Sequence, residues 1–222
     1  MLSEQEGTMS GTSAVIEFAG VNLSFSGKKV IDDLSLVINS GDKVVISGKS
    51  GCGKSSLLSL VLGFVKPDSG KVVFGGVAVD GKTAWNVRRE IALIDQDVSL
   101  GSGSVESFLE FVSDLKVNAH LDFSPHKLMK FFHLQGILHK NLKDLSGGER
   151  QRLAIVVSVL LNRKVFFLDE VTSSLDANLK KKVADYFLKR DDWTCVIVSH
   201  DPVWLESPSV RVFDFEEKVW KH

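Results

Sequence analysis

The sequence has little cysteine, almost no net charge and no long apolar run, and each shortage removes a class of function. Only two cysteines, Cys52 and Cys195, occur in 222 residues. That is too few for a disulfide framework, so reduced thiols of an intracellular protein are the expectation. Lysine plus arginine number 27 and aspartate plus glutamate 28, a formal charge of −1. No global basic field is present, and no nucleic-acid partner is expected. The longest apolar stretch, Leu153 to Leu161, falls far short of the ~20 residues that span a bilayer. It reads as a buried helix. Residues 1–13 are polar and lack an apolar signal core, and are expected to form a flexible tail. There is no internal repeat and no low-complexity tract.

What is present is ordinary globular material, 44% hydrophobic and 25% charged. The length suits one domain, or one domain with an insertion. The opening is β-rich, with strand-like runs at Ala14–Phe18 and Val21–Phe25 and an alternating run at Leu34–Ile38. A hairpin is expected around Gly75-Gly76. From about Val105 to Asn141 the apolar period turns helical: Val105, Phe108, Leu109, Val112 and Leu115, then Leu128, Met129, Phe132 and Leu134. Strand–helix alternation resumes at Lys164. The expected fold is an α/β core with a β-rich N-terminal part and an inserted helical region over roughly residues 97–150.

Gly48-Lys49-Ser50-Gly51-Cys52-Gly53-Lys54-Ser55 fits G-x-x-x-x-G-K-[ST], the phosphate-wrapping P-loop. The apolar run Lys43–Ser47 before it suits a buried parallel strand, and Ser56–Leu62 after it suits a helix. A strand-to-helix turn aims backbone N–H groups at one point, at the positive end of a helix. Glycines let phosphate oxygens approach without a Cβ in the way. The expected nucleotide-binding set here is Gly48, Ser50, Gly51, Cys52, Gly53, Lys54, Ser55 and Ser56. Lys54 reaches the β- and γ-phosphates, and the Ser55 hydroxyl is placed for Mg²⁺.

Phe166-Phe167-Leu168 is an apolar strand that ends in Asp169-Glu170. Carboxylates at the end of a buried strand are costly unless a cation or substrate uses them. Asp169 is the expected Mg²⁺ partner. Glu170, one residue on, is placed to polarise an attacking water. Leu145-Ser146-Gly147-Gly148-Glu149 carries a capping box, with Ser146 and Glu149 as its two ends. Gly147-Gly148 opens backbone access at that helix start, a second phosphate-binding surface. Gln96 and His200 are polar residues at strand ends, and Phe25 is an aromatic upstream of the P-loop. Taken singly, Gln96 carries little weight, His200 gains some from its place on the ligand side of an α/β sheet, and Phe25 suits either stacking on an adenine ring or core packing.

In series these elements resemble the nucleotide-binding domain of ATP-binding-cassette (ABC) transporters, from about Val15 to Val219. The order is Phe25, Gly48–Ser55, Gln96, Leu145–Gln151, Asp169-Glu170, Ser173-Ser174-Leu175-Asp176 and His200. The resemblance implies that residues 14–222 are one ATPase domain using ATP and Mg²⁺. It implies that Phe25 stacks on adenine, and that Gln96 senses γ-phosphate and Mg²⁺ and couples to a membrane partner. Ser146, Gly147 and Gly148 would touch the γ-phosphate held by the opposite protomer of a head-to-tail dimer, a homodimer or a heterodimer with a similar subunit. Asp176 would contact the partner across the dimer. Glu170 would be the base, and His200 would hold the γ-phosphate and the attacking water. The site would act on the cytoplasmic face of a membrane, through a separate transmembrane permease subunit.

Four departures from the common pattern leave every catalytic group in place. Phe25 stands for tyrosine, Val171 for proline and Ser174 for alanine, and Val156–Val159 lacks the usual Ala-Arg-Ala. The alternative is a non-transport ABC ATPase of the DNA-repair, chromosome or translation type. Such proteins carry long coiled coils or tandem cassettes, which this chain lacks. The Leu145–Gln151 string, which resembles the ABC signature, argues against a P-loop small-molecule kinase, and the filled catalytic positions argue against an inactive regulatory cassette.

Overall fold

The computed structural model describes residues 13–221. The expected flexible tail, residues 1–13, lies outside the described residues except for Ser13. Strands β1 (Ala14–Phe25) and β2 (Lys28–Asn39) form a hairpin, and β3 (Lys43–Ser47) leads through the P-loop into helix α1 (Lys54–Val61). The first two strand-like runs of the sequence are thus one strand. Its register against β2 slips between Phe18 and Val21, where Gly20 takes φ +58°, so the strand bends without breaking. Strands β4 (Ser69–Phe74) and β5 (Val77–Ala78) complete an antiparallel sheet in the order β2-β1-β4-β5.

Helix α2 (Ala84–Glu90) precedes β6 (Ile91–Ile94). Between β6 and β7 (Val165–Asp169) lie α3 (Val105–Asp114), α4 (Pro125–Phe131) and α5 (Gly147–Leu160). The chain ends with α6 (Ala177–Leu188), β8 (Thr194–Val198), α7 (Pro202–Leu205), β9 (Arg211–Asp214) and β10 (Val219–Lys221). The second sheet has the order β10-β9-β3-β8-β7-β6. All its pairings are parallel except that of β10 with β9.

The parallel strands are covered on both faces, which is why they read as continuous apolar runs. Val44, Ile46, Phe167, Val196 and Val198 pack with Leu57, Leu58 and Val61 of α1 and with Ile16, Phe18 and Ile38 of the antiparallel sheet. The alternate residues Val45, Phe166, Leu168, Cys195 and Ile197 pack with Leu153 and Ile155 of α5 and with Val183 and Phe187 of α6. Leu109, Met129 and Phe132 of the helical region join that second core. Phe166 has no exposed surface and lies 4.3 Å from the Trp193 ring. Burial of each such side chain contributes about 1.5–3 kcal/mol. Lys43 is buried at the start of β3 and donates to the carbonyls of Gly41, Arg190 and Trp193, so its charge is spent stapling β3 to the segment after α6. The carboxyl ends of β3, β7 and β8 open on one edge, and the loops leaving that edge carry the polar residues of interest.

Candidate nucleotide site

The turn after β3 is built around residues that only a narrow choice of side chains permits. Gly53 is the N-cap of α1 with φ +110°. A Cβ there would come within 2.5 Å of Val30 Cγ1, so the loop lies flat on β2 only because this residue is glycine. Helix α1 starts at Lys54, two residues earlier than its leucine pattern indicates. Lys54 is nearly buried, and its ammonium donates to the carbonyls of Gly48 (2.6 Å) and Lys49 (2.8 Å). It also lies 3.4 Å from His200 Nε2. One cation is thereby fixed at the centre of the loop, beside the positive end of α1.

Opposite the loop, Ser55 Oγ donates to Asp169 Oδ2 at 2.8 Å. Burial pushes the Asp169 carboxyl above the usual aspartate range. The hydrogen bond from Ser55 opposes that shift, the charges of Asp95 and Glu170 add to it, and Lys54 opposes it. Glu170 follows in the left-handed region at φ +48°. Its N–H donates to Val198 O (2.9 Å), and its Oε2 accepts from Ser199 Oγ (3.3 Å). His200 and Gln96 are exposed and sit in loops two residues beyond the ends of β8 and β6, rather than on the strands themselves.

These side chains share one open cleft of about 450 Å³. Phe25, Ser50, Gly51, Gly53, Lys54, Ser55, Ser56, Gln96, Asp169, Glu170 and His200 all line it, with Val30, Ser173 and Val198. Phe25 is 45% exposed at the end of β1, available for stacking. Two of the expected P-loop residues stand apart. Gly48 does not line the cleft but gives its carbonyl to Lys54. Cys52 lines a separate cavity of about 300 Å³ behind the loop, with Phe215 and Glu216.

Ser146, Gly147 and Gly148 do not reach the cleft of their own chain. Ser146 is the N-cap of α5: its Oγ accepts from Glu149 N (3.2 Å), and Glu149 Oε2 accepts from Ser146 N (2.9 Å). Gly147 lines an adjoining groove of about 580 Å³, which shares Gln96 and Ser173 with the cleft. Gly148 has a packing reason as well. A Cβ there would lie 3.1 Å from Ser174 O.

Sequence reasoning missed the buried polar network beneath Glu170 and His200. Ser199 and Thr172 have no exposed surface. Thr172 Oγ1 donates to Asp201 Oδ2 (3.1 Å) and accepts from Trp204 Nε1 (3.1 Å). Asp201 also accepts from Lys180 at 2.7 Å. Serine and threonine next to an apolar strand carry no signal of their own; only the position of Ser199 and Asp201 on either side of His200 marked the spot.

The arrangement supplies what phosphate binding and hydrolysis require: a buried cation, a hydroxyl–carboxylate pair, a second carboxylate and an imidazole around one opening. The chain is similar to several known proteins. The protein "Putrescine transport ATP-binding protein PotG" of Escherichia coli K12 is 31% identical over 204 residues, covering 89% of this chain and 53% of that protein. "Sulfate/thiosulfate import ATP-binding protein CysA" of Pseudomonas aeruginosa is 30% identical over 197 residues, 84% of this chain and 59% of its own length. "Beta-(1-->2)glucan export ATP-binding/permease protein NdvA" of Agrobacterium fabrum is 30% identical, and the match spans 86% of this chain but only 34% of that protein. The chain thus spans between a third and three-fifths of these relatives. Two solved structures share the fold. A bacterial Atm1-family ABC exporter with ATP bound superposes with a TM-score of 0.79 at 22% identity, over 91% of this chain and 37% of that one. The cbiO1 protein of Clostridium perfringens, part of the ABC transporter complex cbiONQ, gives 0.74 at 24% identity, over 94% and 87%. The family described as ABC transporter matches residues 31–173, well over half of the chain, and the chain belongs to that family.

Proposed function

We propose that this chain hydrolyses ATP and uses the energy to drive transport through a separate membrane-spanning permease. The observation that carries this reading is the single cleft formed by Lys54, Ser55, Gln96, Asp169, Glu170 and His200, residues brought together from both ends of the chain. Residues 14–222 form the ATPase unit, with residues 97–150 as its helical insertion.

The surroundings of these residues support a division of roles. Phe25 covers the base. The P-loop N–H groups and Lys54 bind and orient the phosphates. The Ser55–Asp169 pair suits Mg²⁺: both donors are hard oxygens, and the buried carboxylate lacks a full positive counter-charge. Among the described residues no group of three or more His, Cys, Asp or Glu side chains forms a metal cage. That suits an ion which takes one or two protein oxygens and completes its shell with phosphate and water. When bound, Mg²⁺ neutralises phosphate charge. Gln96, at the mouth of the cleft, would help hold the ion. Glu170 accepts the proton of the attacking water, and His200 holds the γ-phosphate side of the reaction.

One feature supports a two-chain site. The Ser146 helix end presents N–H groups suited to phosphate, yet it does not line the cleft of its own chain. A head-to-tail pair, either a homodimer or a heterodimer with a similar subunit, lets one nucleotide touch a P-loop and a signature together. Among the described residues no helix is long and apolar enough to cross a membrane. The proposed place is peripheral, on the cytoplasmic face and held by the permease. The relatives CysA and NdvA are named for import and export.

The direct test is Mg²⁺-ATP turnover. Replacing Glu170 with Gln should leave nucleotide binding intact and cut turnover by about 10²–10⁴-fold, the range for a lost general base. Normal turnover in that variant would remove Glu170 from the reaction.

A further inference from the structure

Glu170 carries a conformational cost that the fold must offset. A non-glycine residue at φ +48° is disfavoured, because its Cβ crowds the following carbonyl oxygen. Its backbone is held on both sides: the N–H donates to Val198 O (2.9 Å), and the carbonyl accepts from Ser173 N (3.1 Å). These bonds fix where the side chain leaves the backbone, but they leave the carboxylate free to rotate.

Ser199 supplies what is missing. The parallel register places Asp169 opposite Val198, so the next residues on each strand, Glu170 and Ser199, are neighbours. Ser199 has no exposed surface, and its hydroxyl makes two bonds. It accepts from Asp201 N (3.1 Å) and donates to Glu170 Oε2 (3.3 Å). A hydroxyl has one proton, and with the Asp201 N–H on one lone pair that proton is left for the Glu170 oxygen. Asp201 is immobilised in turn by Thr172, Lys180 and its cap on Val203 N (3.2 Å). The chain of bonds therefore ties the segment bearing Glu170 to the segment bearing His200.

We infer that Ser199 is the positioning residue of the reaction: it holds the Glu170 carboxylate in one rotamer and links it to the His200 loop. Ser199 is buried and does not line the cleft, so it acts through Glu170. This inference rests on Glu170 being the base, and the test separates the two. Ser199→Ala should lower single-turnover hydrolysis by roughly 10-fold, the worth of one hydrogen bond to a charged group. ATP affinity, read by a fluorescent analogue, should stay within about twofold, because no P-loop contact changes. A merely structural loss would lower affinity and rate together.

The decisive measurement is a double-mutant cycle with Glu170→Gln. If Ser199 acts through the carboxylate, its replacement should add almost nothing in the Glu170→Gln background. A further 10-fold loss there, or an unchanged rate for Ser199→Ala alone, would overturn the inference while leaving Glu170 as the base. A Glu170→Gln enzyme with full turnover would instead overturn the assignment of the base on which the inference stands.

Discussion

Glu149 offers a quantitative test of the helix start that carries the signature. Its carboxylate accepts from the Ser146 N–H (2.9 Å) and pairs with Lys140 at 2.8 Å, while the Glu149 N–H donates to Ser146 Oγ (3.2 Å). Lys140, followed by the Ser146 N–H, lowers the carboxyl from 4.5 to about 2. At ~1.4 kcal/mol per pKa unit the charge contributes at most about 3 kcal/mol. The side chains are 19% and 46% exposed, so solvent screens part of this. Removal of the group by Glu149→Ala should therefore destabilise the fold by about 1–2 kcal/mol at neutral pH, in the range of a lost cap. The sign of the pH dependence follows from a depressed acid. The stabilisation is complete above the ordinary glutamate value and fades as pH falls toward about 2. Urea titrations at pH ~7 and ~3 should show the gap between wild type and Glu149→Ala shrinking on acidification, with similar slopes. Glu149→Gln keeps the capping acceptor but loses the charge, so it should fall between the two. Equal midpoints at neutral pH, or a gap undiminished in acid, would refute the reasoning.

Two predictions concern the nucleotide. Lys54→Ala should weaken ATP binding by 10-fold or more, because the phosphates lose a buried cation worth about 1.5–3 kcal/mol; titration with a fluorescent ATP analogue checks it, and unchanged affinity would place the nucleotide elsewhere. His200→Ala should bind ATP nearly as well as wild type yet lose most single-turnover activity, since its contact matters chiefly once γ-phosphate charge moves; a parallel fall in binding would make His200 a structural residue.

Much of the core was legible because both faces of the parallel sheet are covered. Val165–Leu168 and Thr194–Val198 are apolar at every position but Thr194, and such runs bounded by turn signals read as buried strands. The P-loop was legible for another reason: its glycines, lysine and serine fit a spacing suited to phosphate, although Gly53 is required by its packing on Val30 as well. Helix α2 left no pattern. It buries only Ala84 and Val87 and leaves Trp85 66% exposed, so no apolar stripe repeats along it. The single turn of α7 buries Trp204 alone, too short a segment to show a period. The left-handed backbone of Glu170 was invisible because glutamate carries no preference for it. Ser199 and Thr172 were invisible because their roles lie in bonds between distant segments. Gly148 was read as a phosphate contact. Its closeness to the Ser174 carbonyl adds a requirement that spacing along the chain does not reveal.

In the proposed dimer one nucleotide needs two chains, a P-loop from one and the Ser146 helix end from the other. The most direct measurement is the mass in solution of the Glu170→Gln protein, by light scattering after size exclusion. It should be a dimer with Mg²⁺-ATP and a monomer with ADP, because loss of the γ-phosphate removes the contacts to Ser146 and Gly148. Adding Ser146→Arg, which places bulk in the shared site, should return the ATP sample to monomer. A Glu170→Gln protein that stays monomeric at saturating ATP and high protein concentration, or a dimer indifferent to Ser146→Arg, would contradict the account.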